Sequence, residues 1–127
     1  MNQVILVFVG GGIGATIRHL INLGVARIAG TSFPWSTAII NVTGSFLMGV
    51  LVAFFAFKAG GGWSQHVRLF ATTGILGGYT TFSTFSLDAA LLWERGATGQ
   101  AAAYVIGSVV LALVGILAGL WLVRSLA

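Results

Sequence analysis

Charged positions are so sparse along this chain that they act as punctuation. Arg18, Arg27, Lys58, Arg68, Asp88, Glu94, Arg95 and Arg124 leave long uncharged runs at residues 1–17, 28–57, 69–87 and 96–123. About 20 mostly apolar residues are needed for a helix to cross a bilayer. The pattern therefore predicts four membrane-spanning helices, near residues 3–27, 33–57, 67–94 and 99–124, forming one transmembrane domain over residues 1–127. The first span is continuous only if Arg18 is accepted inside it or near its far end.

Composition agrees. Of 127 residues, 57% are hydrophobic and 6% charged, against roughly a quarter charged in a soluble domain, and the mean hydropathy is +1.03. This predicts an all-α integral membrane protein. The net charge of +4 does not point to nucleic acid, because the six basic residues are scattered rather than gathered on one face. Without cysteine, disulfides and thiolate metal sites are excluded. Met1-Asn2-Gln3 lacks the basic region of a signal peptide, so the first apolar stretch reads as retained.

With four spans, Lys58, Arg68 and Arg124 fall on one side and Arg27 and Arg95 on the other. Orientation normally follows an excess of basic residues on the cytoplasmic side, and this bias is almost nil. Such a chain either inserts both ways up, which makes an antiparallel homodimer a natural assembly, or takes a single, weakly determined orientation. Small residues one helical turn apart favour close packing: Gly10 with Gly14, Ser45 with Gly49, Gly74 with Gly78, and Gly115 with Gly119. The stretch Lys58-Ala59-Gly60-Gly61-Gly62-Trp63 reads as a flexible connection, with Trp63 as an interface anchor.

The third span is unusual. Gly74-Ile75-Leu76-Gly77-Gly78-Tyr79-Thr80-Thr81-Phe82-Ser83-Thr84-Phe85-Ser86 is dense in glycine and hydroxyl groups. Irregular backbone at membrane depth survives only where it is buried in protein or lines a wet cavity. Hydroxyl back-bonding to the preceding turn explains one or two such residues, not five within seven. A break near Gly77–Thr80 would free carbonyls that a bound cation can satisfy. Phe82 and Phe85 share a helix face; they are either core packing or ring edges able to meet an anion. Asn41, mid-span, either makes an interhelical hydrogen bond or directs its amide into a pathway. Arg18 either faces a cavity or another polar group, or snorkels to the headgroups with Thr16 and His19 marking the helix end. Tyr104 and Ser108 lie on one stripe of the fourth span, continued without polarity by Ala112 and Gly115. Together these groups offer donors without a buried carboxylate, a lining suited to an anion.

Two other readings fail. Gly10, Gly12 and Ala15 fit a dinucleotide-binding glycine pattern, but no acidic residue precedes Asp88 and the pattern requires a βαβ unit. Catalysis finds no nucleophile–base pair: His19 and His66 lack ligand spacing, and Asp88 and Glu94 lie on different helix faces.

Gly77-Gly78-Tyr79-Thr80-Thr81-Phe82-Ser83-Thr84-Phe85-Ser86, with Gly12, Gly14, Ala15 and Arg18 and with Asn41-Val42-Thr43-Gly44-Ser45-Phe46, resembles the Fluc/CrcB fluoride channel family over essentially the whole chain. The resemblance implies a passive, non-enzymatic fluoride channel in the cell (inner) membrane, exporting cytoplasmic fluoride. It implies an antiparallel dual-topology homodimer, four helices per subunit with the third broken mid-membrane, and two pores. Asn41, Phe82, Ser83, Thr84, Phe85, Tyr104 and Ser108 match the fluoride pathway, and Arg18 the vestibule. Gly77 and Thr80 match backbone carbonyls that hold a central structural sodium ion (Na+). Departures are Ala112 where a polar-track serine can occur, Asp88 for a glutamate, and Ser36-Thr37 where Gly-Thr is frequent. A four-span proton-coupled cation transporter needs a carboxylate within the membrane, and Asp88 lies only toward the end of the third span. A non-transporting scaffold leaves the hydroxyl ladder without a purpose.

Overall fold

Long helices built from the apolar runs dominate the computed structural model, which describes residues 2–58 and 65–126. Helix α1 covers Asn2–Ala29 and α2 covers Trp35–Ala53, extended by wider π-type turns over Phe54–Lys58. Helix α3 (Gln65–Leu69) opens into π-type turns at Phe70–Leu76 and closes with α4, Gly77–Tyr79. Helix α5 follows at Phe82–Glu94 and α6 at Thr98–Leu126. Among the described residues, three stretches are long and apolar enough to cross a membrane: Gln3–Ala29, Trp35–Ala56 and Thr98–Leu126. The expected third span is instead a chain of short helices, interrupted at Thr80 and Thr81. Trp63 and the glycines of the connection lie outside the described residues.

Glycine sets where helices end and where they meet. Gly30 (φ 75°) and Gly96 (φ 84°) adopt the left-handed conformation that stops α1 and α5. After Gly96, the Ala97 N–H closes on the Leu92 carbonyl at 2.9 Å, the six-to-one bond of a Schellman ending. The four small-residue pairs join two by two. A Cβ on Gly10 would lie 2.9 Å from the Phe70 carbonyl oxygen and 3.0 Å from the Gly74 Cα. One on Gly14 would strike the Ile75 carbonyl, and one on Gly78 the Gly11 carbonyl. On the other seam, Gly49 abuts the Ile116 carbonyl and Gly119 the Phe46 carbonyl. Thus α1 packs along the third segment and α2 along α6, with backbones close enough for dispersion forces to hold them.

Two open points are settled here. The first span is continuous, as expected near residues 3–27: α1 runs to Ala29, so the alternative helix end at Thr16 and His19 fails, and the Thr16 hydroxyl donates to the Gly12 carbonyl at 2.7 Å, which a continuous helix accommodates. The break expected near Gly77–Thr80 falls at the far end of that range: Gly77–Tyr79 stay helical and Thr80 is extended. Gly74 and Gly78 serve close approach to α1.

Candidate functional site

Thr80 (φ −83°, ψ 156°) and Thr81 (φ −151°, ψ 121°) are extended, so the helical ladder is cut between α4 and α5. Side chains replace the missing bonds. The Thr81 hydroxyl accepts the Thr84 N–H at 3.2 Å and so caps the start of α5. The Asn41 amide pairs twice with the Thr81 backbone: Nδ2 donates to the Thr81 carbonyl at 2.9 Å, and Oδ1 accepts the Thr81 N–H at 2.9 Å. Arg18 Nε donates to the Gly78 carbonyl at 3.2 Å. Tyr79 OH and Thr43 Oγ1 share a bond of 2.9 Å that ties α4 to α2.

The hydroxyl ladder divides as its density implies. Thr80 and Ser86 bond back to the Leu76 and Phe82 carbonyls, each at 3.0 Å. Thr81 instead joins Thr84 at 3.1 Å and Ser83 at 3.4 Å, side chain to side chain.

Beside the break lies a cavity of about 290 Å³ lined by Asn41, Thr80, Thr81, Phe82, Phe85, Ser108 and Ala112, among others. No acidic or basic residue lines it. Ser108 is buried, and its hydroxyl has no protein hydrogen-bond partner among the described residues. Four of the seven residues expected along a pathway (Asn41, Phe82, Phe85 and Ser108) therefore converge on one space. Phe82 is 77% exposed and Phe85 only 9%, with ring centroids 5.6 Å apart.

Thr84 lines a second cavity of about 400 Å³, with Asn22, Ser36, Thr37, Asp88 and Arg95. Between the two spaces the aromatic series continues from Phe85 to Tyr104 (5.2 Å) and from Tyr104 to Phe33 (5.7 Å, edge to face). Tyr104 is 2% exposed, and its hydroxyl donates to Asp88 Oδ2 at 3.1 Å. Ser36 donates to Asn22, and Arg95 to the Ser32 carbonyl, around the same space. The first cavity thus fits the expected carboxylate-free lining, whereas the second includes Asp88. Sequence reading placed Asp88 outside the pathway; its offset of three from Phe85 was the available signal, since both then share a helix face. Ser83 is exposed and lines neither cavity, and Arg18 acts on the backbone of the break rather than on either space.

Comparison with known proteins gives the family. The family model described as "CrcB-like protein, Camphor Resistance (CrcB)" matches residues 5–120. A fluoride-specific ion channel FluC of Rhodopseudomonas palustris (strain BisB5) is 63% identical over 122 residues, covering 96% of this chain and 97% of the relative. The fluoride-specific ion channel FluC 2 of Nitrobacter hamburgensis is 61% identical with the same coverage. The FluC of Mesorhizobium japonicum is 55% identical over 126 residues, 99% of each chain. By the family model over residues 5–120 and these identities, this chain belongs to the CrcB family.

Proposed function

We propose that this protein is a passive, fluoride-selective channel that lets cytoplasmic fluoride leave through the cell (inner) membrane. The observation that carries the reading is the uncharged cavity where Asn41, Phe82, Phe85 and Ser108 meet. Fluoride is small and strongly hydrated, so a pathway must replace water with donors, and this cavity does so without a carboxylate in its lining. The Ser108 hydroxyl is available as a donor. Asn41 Nδ2 carries a second N–H beyond the one given to Thr81. The Phe82 and Phe85 rings offer partially positive edges. Thr84 and Tyr104 extend the route toward the second cavity, and Ser83 adds a hydroxyl at the exposed side. High identity to relatives named fluoride-specific ion channels supports the choice of anion. A channel of this kind performs no covalent chemistry and is not an enzyme.

The working unit in this reading is an antiparallel, dual-topology homodimer with two pores. Each subunit would contribute four membrane passes, the third being the interrupted segment Gln65–Glu94. Support comes from the near-even basic charge and from Phe82, a pathway aromatic left 77% exposed by its own chain. A structural sodium ion would be held by the Gly77 and Thr80 carbonyls, and the local backbone fits such a role. In a continuous helix those carbonyls would accept the N–H groups of Thr81 and Thr84, which here donate to Asn41 and to the Thr81 hydroxyl. When bound, the cation would supply the positive charge that such carbonyl ends attract.

Fluoride efflux from liposomes containing the purified protein, with chloride as comparison, tests the function. Rapid fluoride release with negligible chloride release, lost in folded Phe82→Ile or Phe85→Ile, is the expected result. Well-folded protein that releases no fluoride would overturn it.

A further inference from the structure

A side-chain amide that pairs twice with one backbone residue does more than satisfy itself. Asn41 lies on α2, forty residues before Thr81, and presents a donor and an acceptor to it at 2.9 Å each. This is the pattern a neighbouring β-strand would offer an extended residue. It matters because of which N–H it captures. The Thr81 N–H is the group that would otherwise close on the Gly77 carbonyl, four residues back. A later bond of that ladder is diverted as well, since the Thr84 N–H goes to the Thr81 hydroxyl instead of the Thr80 carbonyl. The carbonyls that lose their helical donors across the break include those of Gly77 and Thr80. Upstream the ladder is intact: the Thr80 N–H reaches the Leu76 carbonyl at 3.0 Å. Arg18 anchors the same end of the helix through the Gly78 carbonyl.

We propose that Asn41 is a positioning residue for the cation site: by clamping the Thr81 backbone it holds the helix open and releases the Gly77 carbonyl for sodium. This rests on the channel reading above for its consequence, but the clamp itself is a property of the subunit. It also explains why an amide is needed. Leucine offers neither group. Aspartate can accept the Thr81 N–H but turns negative oxygen toward the Thr81 carbonyl, and serine has too short a reach for both bonds.

The experiment uses full-length protein reconstituted in nanodiscs and compares wild type, Asn41→Leu and Ser108→Ala. Ser108 lines the same cavity without touching the break, so it controls for damage to the ion pathway alone. Three quantities are read: hydrogen exchange at the Thr81 amide, the rise in thermal midpoint when sodium replaces N-methylglucamine, and fluoride efflux. In Asn41→Leu, Thr81 exchange is expected to quicken roughly tenfold or more as its hydrogen bond is lost, and the sodium-dependent rise to disappear. In Ser108→Ala both are expected to match wild type even where efflux falls.

Unchanged Thr81 exchange in Asn41→Leu overturns the clamp. Faster exchange with a normal sodium effect overturns its link to the cation, as does a wild type that sodium does not stabilise. If Asn41→Leu does not fold, isotope-labelled wild type decides. Scalar coupling across the bond between the Thr81 nitrogen and the Asn41 side-chain carbonyl carbon supports the proposal, and its absence from a resolved spectrum sinks it. Efflux from wild type reports on the channel reading separately, because a protein that conducts nothing can still show or lack the clamp.

Discussion

Arg18 shows how much of a residue's role depends on what lies across from it. Its sequence context leaves two destinations open, a cavity or another polar group on one hand and the headgroups on the other, without saying which polar group. The partner is the Gly78 carbonyl, sixty residues away and next to the break, where helix-end carbonyls lack intrahelical donors. Removing a charged donor from such a group costs about 1–3 kcal/mol. Arg18→Ala should therefore lower the thermal midpoint of the purified protein, and Arg18→Lys, which still donates, should recover part of the loss. A midpoint for Arg18→Ala equal to wild type would show that the bond contributes nothing. Phe82 and Phe85 offer a second contrast. Phe85 packs with Leu92, Ala101 and Tyr104, so Phe85→Ala leaves a void costing about 3–5 kcal/mol. In Phe82→Ala the exposed ring is lost with little effect on the stability of the single subunit, a difference measurable by unfolding in detergent under conditions that disfavour association. Equal losses for the two would contradict the burial pattern.

Among the elements, glycine spacing carried more information than hydropathy. The four small-residue pairs were legible in the sequence because a four-residue period puts them on one helix face, and the structure joins Gly10 and Gly14 to Gly74 and Gly78, and Gly49 to Gly119. What the sequence could not reveal was the division of labour within the third segment. Glycine and hydroxyl residues both read as breakers there, yet the glycines serve contact with α1 while the break belongs to Thr80 and Thr81. That choice depends on Asn41, whose partner is set by tertiary packing and leaves no local signal. The cavity residues were legible as types, donors and aromatics without charge. Asp88 was not, because its bond to Tyr104 joins two helices. The glycines also separate two superficially similar substitutions. Gly12 meets nothing within 4 Å, whereas Gly14 abuts the Ile75 carbonyl. Gly12→Ala should leave the fold intact and raise stability by up to about 1 kcal/mol, the helix-propensity difference. Gly14→Ala should drive α1 off the third segment and sharply reduce the yield of folded protein. Monodispersity on size-exclusion chromatography, followed by thermal unfolding, distinguishes the pair; identical behaviour would mean that α1 does not seat as described.

For the whole molecule, the decisive quantity is orientation. One subunit buries Phe85 and leaves Phe82 77% exposed, so the pathway proposed along both rings needs another chain on the Phe82 face. A second copy related by an axis in the membrane plane would cover it and bring two breaks together, but only if copies enter the membrane in both senses. With the four passes proposed above, charge permits this, because the basic residues on the two sides would nearly balance and the positive-inside preference would have little to act on. The absence of cysteine makes the question directly measurable. A single cysteine introduced as Gln100→Cys lies at an exposed position at the start of α6, beside the turn that joins it to α5. In intact cells and in inverted vesicles, a membrane-impermeant maleimide should label comparable fractions of this variant, about half in each. Adding two lysines beside that turn should shift the labelled fraction toward one side by strengthening the charge bias, and fluoride efflux should fall as oppositely oriented partners become scarce. Adding back a copy biased the other way should restore it. Labelling confined to one face in the unmodified background would exclude dual topology, and the exposed Phe82 face would then require a parallel partner.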